Sequence, residues 1–160
     1  MIYRVRSMVP ADLDRVVEIT AALKDAPQWP RRVFEAVLGA ATPMRIALIA
    51  EDSVARVVVG YIVAGVVPPE AELESIAVSA GHQRQGVAQR LFAVMADELV
   101  RAQVGEVLLE VRESNQAARG FYASLGFLEE GRRRSYYADP VEDAVLMRMQ
   151  LVEPSSRPHV

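Results

Sequence analysis

Cysteine is absent from the 160 residues, which excludes a disulfide framework, a thiolate metal site and a cysteine nucleophile. Histidine is almost absent: His82 and His159 stand far apart, without the clustered partners a metal site needs. Among the 18 basic residues only Lys24 is a lysine, the mark of genomic codon bias rather than of a task. No glycine-lysine-serine/threonine loop and no three-glycine fingerprint occurs, so the Walker and Rossmann ways of holding phosphates are excluded. The longest mainly apolar stretch, residues 57–67, is too short to span a bilayer, and no membrane partner is expected. Met1, Ile2, Tyr3 and Arg4 open the chain without the apolar region of a secretion signal, so the expected compartment is the cytoplasm. A net charge of −3 argues against direct nucleic-acid binding driven by bulk electrostatics.

What is present is a globular composition, 51% hydrophobic and 24% charged. It suits one domain over residues 1–152, followed by a disordered tail over 153–160. The hydrophobic period switches repeatedly between strand and helix values. Residues 2–6 alternate as a strand. After Pro10, the residues Leu13, Val16, Val17, Thr20 and Leu23 form a helical stripe. A second short helix is expected over 31–38. Residues 45–51 and 55–67 read as a hairpin turning at Asp52 and Ser53, and Pro68 and Pro69 end its second strand. The next strand, 71–78, breaks strict alternation, and a β-bulge near Glu74 and Ser75 would restore its phase.

Val87, Leu91, Val94, Met95, Leu99 and Ala102 then line a helix. A strand over 106–111 leads to a helix carrying Ala118, Phe121, Tyr122 and Leu125, with Gly126 as its terminator. Strands from Phe127 onward and over 143–151 close the chain. The order β-α-α-β-β-β-α-β-α-β-β describes an α/β chain, a mixed sheet with helices packed on it.

Two stretches carry chemistry. Gln83, Arg84, Gln85, Gly86, Val87 and Ala88 join a strand to a helix. A diphosphate wants backbone N–H groups and the positive end of a helix, and Gly86 allows close approach there. The alternative is an ordinary strand-to-helix turn. Further on, Glu110 interrupts the apolar run of Val107, Leu108 and Leu109, a partly buried place suited to a general base. Taken alone, the simpler explanation is a strand-end glutamate reaching solvent or pairing with Arg112. Tyr122 lies on an apolar stripe, where core packing is the simpler role, and Asn115 stands where a helix cap belongs.

The glycine stretch resembles the Q/R-x-x-G-x-G/A pattern of the GCN5-related N-acetyltransferases, the GNAT family. Glu110, Ser114, Asn115, Phe121, Tyr122 and Leu125 to Phe127 are similar to its ribosomal-protein-alanine subgroup, the RimI type. So are Trp29 with Phe34 (W-x4-F) and Arg132 to Tyr137 with Glu142, Asp143 and Ala144 (R-R-x-Y-Y … E-D-A). The resemblance implies the GNAT fold, a mixed, mostly antiparallel sheet of about seven strands flanked by about four helices. It implies acetyl-coenzyme A as cosubstrate and no metal. Arg84, Gln85, Gly86, Val87, Ala88, Gln89 and Asn115 would contact the coenzyme, and the backbone of Ile76, Ala77 and Val78 its pantetheine arm and acetyl carbonyl. Glu110 would accept a proton and Tyr122 donate one.

The resemblance implies a protein N-terminus as acceptor, with a ribosomal protein as the candidate substrate, by direct attack in a ternary complex. An α-amine titrates near about 8 and a lysine near about 10.4, so one carboxylate serves an N-terminus more readily. Glu72 and Glu74 offer a competing base, Glu110 ranking first and Glu74 second. Arginines 132–134 suggest a solvated face, salt-bridge partners or an RNA contact. Acetylation of a small amine, or non-catalytic acyl-coenzyme A binding, are the alternative functions.

Overall fold

The computed structural model describes residues 2–39 and 44–151 and realises the expected order. The elements are β1 (Tyr3–Ser7), α1 (Leu13–Ala22), α2 (Arg31–Leu38), β2 (Met44–Asp52), β3 (Val57–Val67), β4 (Glu70–Val78), α3 (Val87–Arg101), β5 (Glu106–Arg112), α4 (Gln116–Leu125), β6 (Leu128–Tyr137) and β7 (Glu142–Gln150). Short 3-10 turns at Pro10–Asp12 and Ala80–His82 precede α1 and the α3 loop. The sequence's first helix stripe runs one residue too far, because Leu23 is already extended. The tail expected over 153–160 lies outside the described residues.

One sheet of order β1-β2-β3-β4-β5-β7-β6 holds all seven strands. Every neighbouring pair is antiparallel except β4 and β5, which run parallel. β3 is the spine. Its residues from Val58 to Val66 are all buried, as befits a strand covered on both faces. Val59, Ile62, Ala64 and Val66 pack with Leu91, Met95 and Leu99 of α3. Val58, Tyr61 and Val63 pack on the other face with Val16 and Ile19 of α1 and Phe34 and Val37 of α2. Phe92 widens the expected α3 stripe by packing on Phe127, ring centroids 5.7 Å apart.

Two irregularities shape β4. Val63 of β3 pairs with Ser75 but Ala64 pairs with Leu73, which leaves Glu74 as the extra residue of a bulge, where the broken alternation placed it. Gly60 faces Val78, and a Cβ there would sit 2.9 Å from the Ala77 carbonyl oxygen. Only glycine lets the end of β4 lie this close to β3.

Candidate active site

β4 and β5 share just three rungs, Glu70 with Glu106, Ala71 with Val107 and Glu72 with Leu108. Beyond them β4 continues to Val78 and β5 to Arg112 without pairing, so the two strands part as a fork. The Glu74 bulge lies two residues past the last rung, where its added twist turns β4 away. Ile76, Ala77 and Val78 pair with β3 along one edge and turn the other toward the opening. The tips lead into helices: β4 through a loop into α3, β5 into α4.

That loop brings bare backbone to the fork. Arg84 and Gly86 both take left-handed conformations, with φ of 61° and 81°. Gly86 is the cap residue of α3, and no side chain bonds the first amides of the helix. Nothing lies within 4 Å of where a Gly86 Cβ would stand, so dihedral freedom rather than space calls for glycine. The first amides of α3 therefore lie at the helix's positive end without a side-chain cap, a donor set that fits a diphosphate. Val87 sends its side chain into the core, leaving only its amide for a ligand, while Arg84, Gln85 and Gln89 are exposed. The loop is anchored on both sides. Gln83 Nε2 donates to the Val78 carbonyl at 3.0 Å, and the Tyr3 hydroxyl donates to Gln85. His82 Nδ1 is 2.8 Å from Ser79 Oγ, and among the described residues no cluster suits a metal ion.

Strand alternation sorts the acid–base candidates onto opposite faces. Val107, Leu109 and Val111 join the α3-side core, which sends Glu110 to the other face. Tyr122 packs on the α3 side, its ring 5.8 Å from that of Phe127. Burial pushes its phenol up to about 12, with Tyr137 adding to the effect. Glu110 and Tyr122 thus stand on the two sides of the sheet where β5 borders the fork.

The partner considered for Glu110 in the sequence, Arg112, is engaged elsewhere. Its guanidinium lies 3.3 Å from Glu142, donates to the carbonyls of Ala138 and Pro140, and covers the Tyr137 ring at 4.5 Å. Glu110, whose side chain is 19% exposed, pairs instead with Arg133 at 3.2 Å. The Tyr136 phenol is raised above its ordinary value, chiefly by its interaction with the same carboxylate. Glu74 is gripped by both arms of Arg45 at 2.9 and 3.0 Å. Glu72 keeps its proton more readily than an ordinary glutamate, through burial and the charges of Glu74 and Glu110. An open cleft of about 520 Å³ runs along this face, lined by Glu72, Glu74, Glu110 and Arg133 among others.

The remaining motif residues build the surroundings. Asn115 Oδ1 accepts from the Ala118 amide at 3.1 Å and so caps α4, the helix that carries Tyr122. Gly126 ends that helix with φ 111°. Trp29 and Phe34 stack at 5.4 Å, and Phe34 meets Tyr61 at 5.4 Å. The buried Tyr61 hydroxyl bridges Thr20 at 2.7 Å and Ser75 at 3.0 Å, supporting the β4 bulge from beneath. Of the three consecutive arginines, Arg132 pairs with Glu113 and Arg133 with Glu110, which accounts for two of them as salt-bridge partners. Sequence reasoning missed Arg133, Tyr136 and Tyr137 as neighbours of the site, although all three lie in the quoted arginine–tyrosine motif.

Three comparisons place this geometry. The sequence profile of the Acetyltransferase (GNAT) family matches residues 14–127. The ribosomal protein bS18-alanine N-acetyltransferase of Escherichia coli is 43% identical over 93 residues, which span 57% of this chain and 63% of that protein's length. The N-alpha-acetyltransferase RimI of Mycobacterium tuberculosis is 36% identical over 157 residues, 93% of each chain. The crystal structure of the ribosomal-protein-S18-alanine N-acetyltransferase from Escherichia coli superposes with a TM-score of 0.80 at 29% identity, covering 99% of this chain and 100% of that one. With a seven-stranded forked sheet, an uncapped glycine turn at its opening and a family profile over most of its length, the chain belongs to the GNAT acetyltransferase family.

Proposed function

We propose that this protein transfers the acetyl group of acetyl-coenzyme A to the N-terminal α-amine of a protein, in the manner of the ribosomal-protein-alanine type. The observation that carries the reading is the fork itself, with Glu110 on one face of β5 and Tyr122 on the other. The names of the relatives from Escherichia coli and Mycobacterium tuberculosis support the acceptor class, and a ribosomal protein is the first candidate among acceptors.

Acetyl-coenzyme A supplies an acyl group activated as a thioester. The amides of Val87, Ala88 and Gln89, with Arg84, Gln85 and Gly86, hold its diphosphate, and Asn115 adds a polar contact at the head of α4. The free edge of Ile76, Ala77 and Val78 pairs with the pantetheine arm as an added strand would, and polarises the acetyl carbonyl. Glu110 takes a proton from the acceptor ammonium so that the neutral amine attacks. As the new C–N bond forms and the C–S bond breaks, Tyr122 donates to the leaving sulfur. Glu110 is favoured over Glu74 because Arg45 occupies both oxygens of the latter.

The raised phenol defines how Tyr122 works. A phenol near 12 is protonated throughout the working range. Tyr122 therefore donates a hydrogen bond to the leaving sulfur, and as its proton passes to the thiolate the phenolate takes the second proton of the attacking nitrogen, which leaves a neutral amide, a free thiol and the phenol restored.

Thiol release from acetyl-coenzyme A, measured against peptides beginning with alanine, serine or methionine and against small amines, tests this reading. Release with peptides supports it. Release with small amines alone assigns a small-molecule acetyltransferase, and release with neither a non-catalytic acyl-coenzyme A binder.

A further inference from the structure

β6 departs from its partner β7 between Arg133 and Tyr137. Arg133 pairs with Ala144 and Tyr137 with Glu142, so four steps along β6 match two along β7. The extra residues form a bulge. Within it Ser135 takes a left-handed φ of 50°, and its amide donates to Asp143 Oδ1 at 2.8 Å. Bulges of this kind re-aim the side chains beside them. Here those side chains are Arg133, whose Nε lies 3.2 Å from Glu110 Oε1, and Tyr136, whose phenol is raised chiefly by its interaction with the same carboxylate. The Arg133 guanidinium also lies 5.6 Å from the centre of the Tyr136 ring, so the two form one unit.

We propose that Arg133 and Tyr136 are positioning residues of the reaction, presented to Glu110 by a bulge that Asp143 closes. The inference rests on Glu110 being the base. A glutamate on an open strand face has three side-chain torsions and many rotamers, and an ion pair to a cation that itself lies over an aromatic ring favours one of them. The charges around it make the need plain. Glu72 of β4 feels the charges of both Glu74 and Glu110, and Arg45 of β2 is spent on Glu74. From β6 come Arg133, Tyr136 and Tyr137. Arg133 is the cation paired with Glu110, and Glu72 is the carboxylate whose charge opposes it.

The test is the pH dependence of kcat/KM for the full chain, with acetyl-coenzyme A and a peptide beginning with alanine, in Arg133→Gln, Arg133→Lys, Tyr136→Phe, Asp143→Ala and Glu110→Gln. Arg133→Gln and Tyr136→Phe are expected to lower kcat about tenfold, leave the KM for acetyl-coenzyme A unchanged and displace the acidic limb from its place in the unaltered protein. Arg133→Lys should restore the limb, and Asp143→Ala should reproduce the shift without touching the substrate. If Glu110→Gln removes the limb while Arg133→Gln and Tyr136→Phe leave it where the unaltered protein has it, the positioning role is overturned and the base assignment stands. An acidic limb that survives Glu110→Gln overturns both.

Discussion

A glutamate and a tyrosine on opposite faces of one sheet can serve a single bond only where that sheet is open between them. Glu110 and Tyr122 meet this condition because β5 loses its neighbour after Leu108. Glu110→Gln keeps the shape of the side chain and removes its basicity, so turnover is expected to fall by about 10²-fold or more, measured as thiol release at saturating acetyl-coenzyme A. Tyr122→Phe is expected to lower kcat similarly while leaving coenzyme affinity intact by calorimetry. The raised phenol adds a pH signature. Burial places Tyr122 near 12, so it stays protonated below that value. The alkaline side of the rate profile should remain free of a tyrosine inflection near 10, and an inflection there that vanishes in Tyr122→Phe would contradict the buried placement.

At the scale of elements, the sequence was most legible where pattern and local chemistry agree. The glycine at the head of α3 announced a turn with unusual dihedrals, and the observed left-handed φ is the physical reason. The broken alternation of β4 announced its bulge, because one extra residue shifts which face each later side chain occupies. Less legible was the β6–β7 ribbon. Its bulge depends on Asp143 reaching back to the Ser135 amide, a contact across the turn that no periodicity records. For the same reason the sequence offered salt bridging for Arg133 without naming Glu110 as its partner, and gave Tyr136 no role of its own. Asn115 shows two roles on one residue. It caps α4 and is proposed to touch the coenzyme. Asn115→Ala is expected to cost about 1 kcal/mol of stability through the lost cap. Asn115→Asp should keep the cap, and with it the melting temperature, yet weaken coenzyme affinity by setting a negative charge against an anionic coenzyme. Equal affinity in both variants would confine Asn115 to capping.

For the whole molecule, the order of elements could be read from the chain, but the strand order could not. Placing β7 between β5 and β6 brings Arg112, Glu142 and the two tyrosines to the site, and long-range pairing of this kind leaves no local trace. The fold also depends on an ion pair at its entrance. Asp12 lies nearly buried between β1 and α1, accepting two bonds from Arg6 at 2.9 Å and one from the Val9 amide at 2.8 Å. Burial alone would raise its carboxyl, but the Arg6 hydrogen bonds, the amide and the arginine charge together hold it below the ordinary 3.8. A depressed folded value means this stabilisation is present above the unfolded value and lost as pH falls through the folded one. Acid melts below about pH 4 should therefore show a loss that Asp12→Asn largely abolishes, the variant being weaker by roughly 2 kcal/mol at neutral pH. Parallel acid profiles for the two proteins would remove Asp12 from that account.

The most direct measurement is a crystal structure with coenzyme A joined through its sulfur to the α-amine of a peptide beginning with alanine. The expected result has the diphosphate on the amides at Gly86 to Gln89, the sulfur in the fork within bonding distance of the Tyr122 hydroxyl, and the peptide amine facing Glu110. A coenzyme lying outside the fork, or one within it while both side chains turn away from the reacting atoms, would contradict the account.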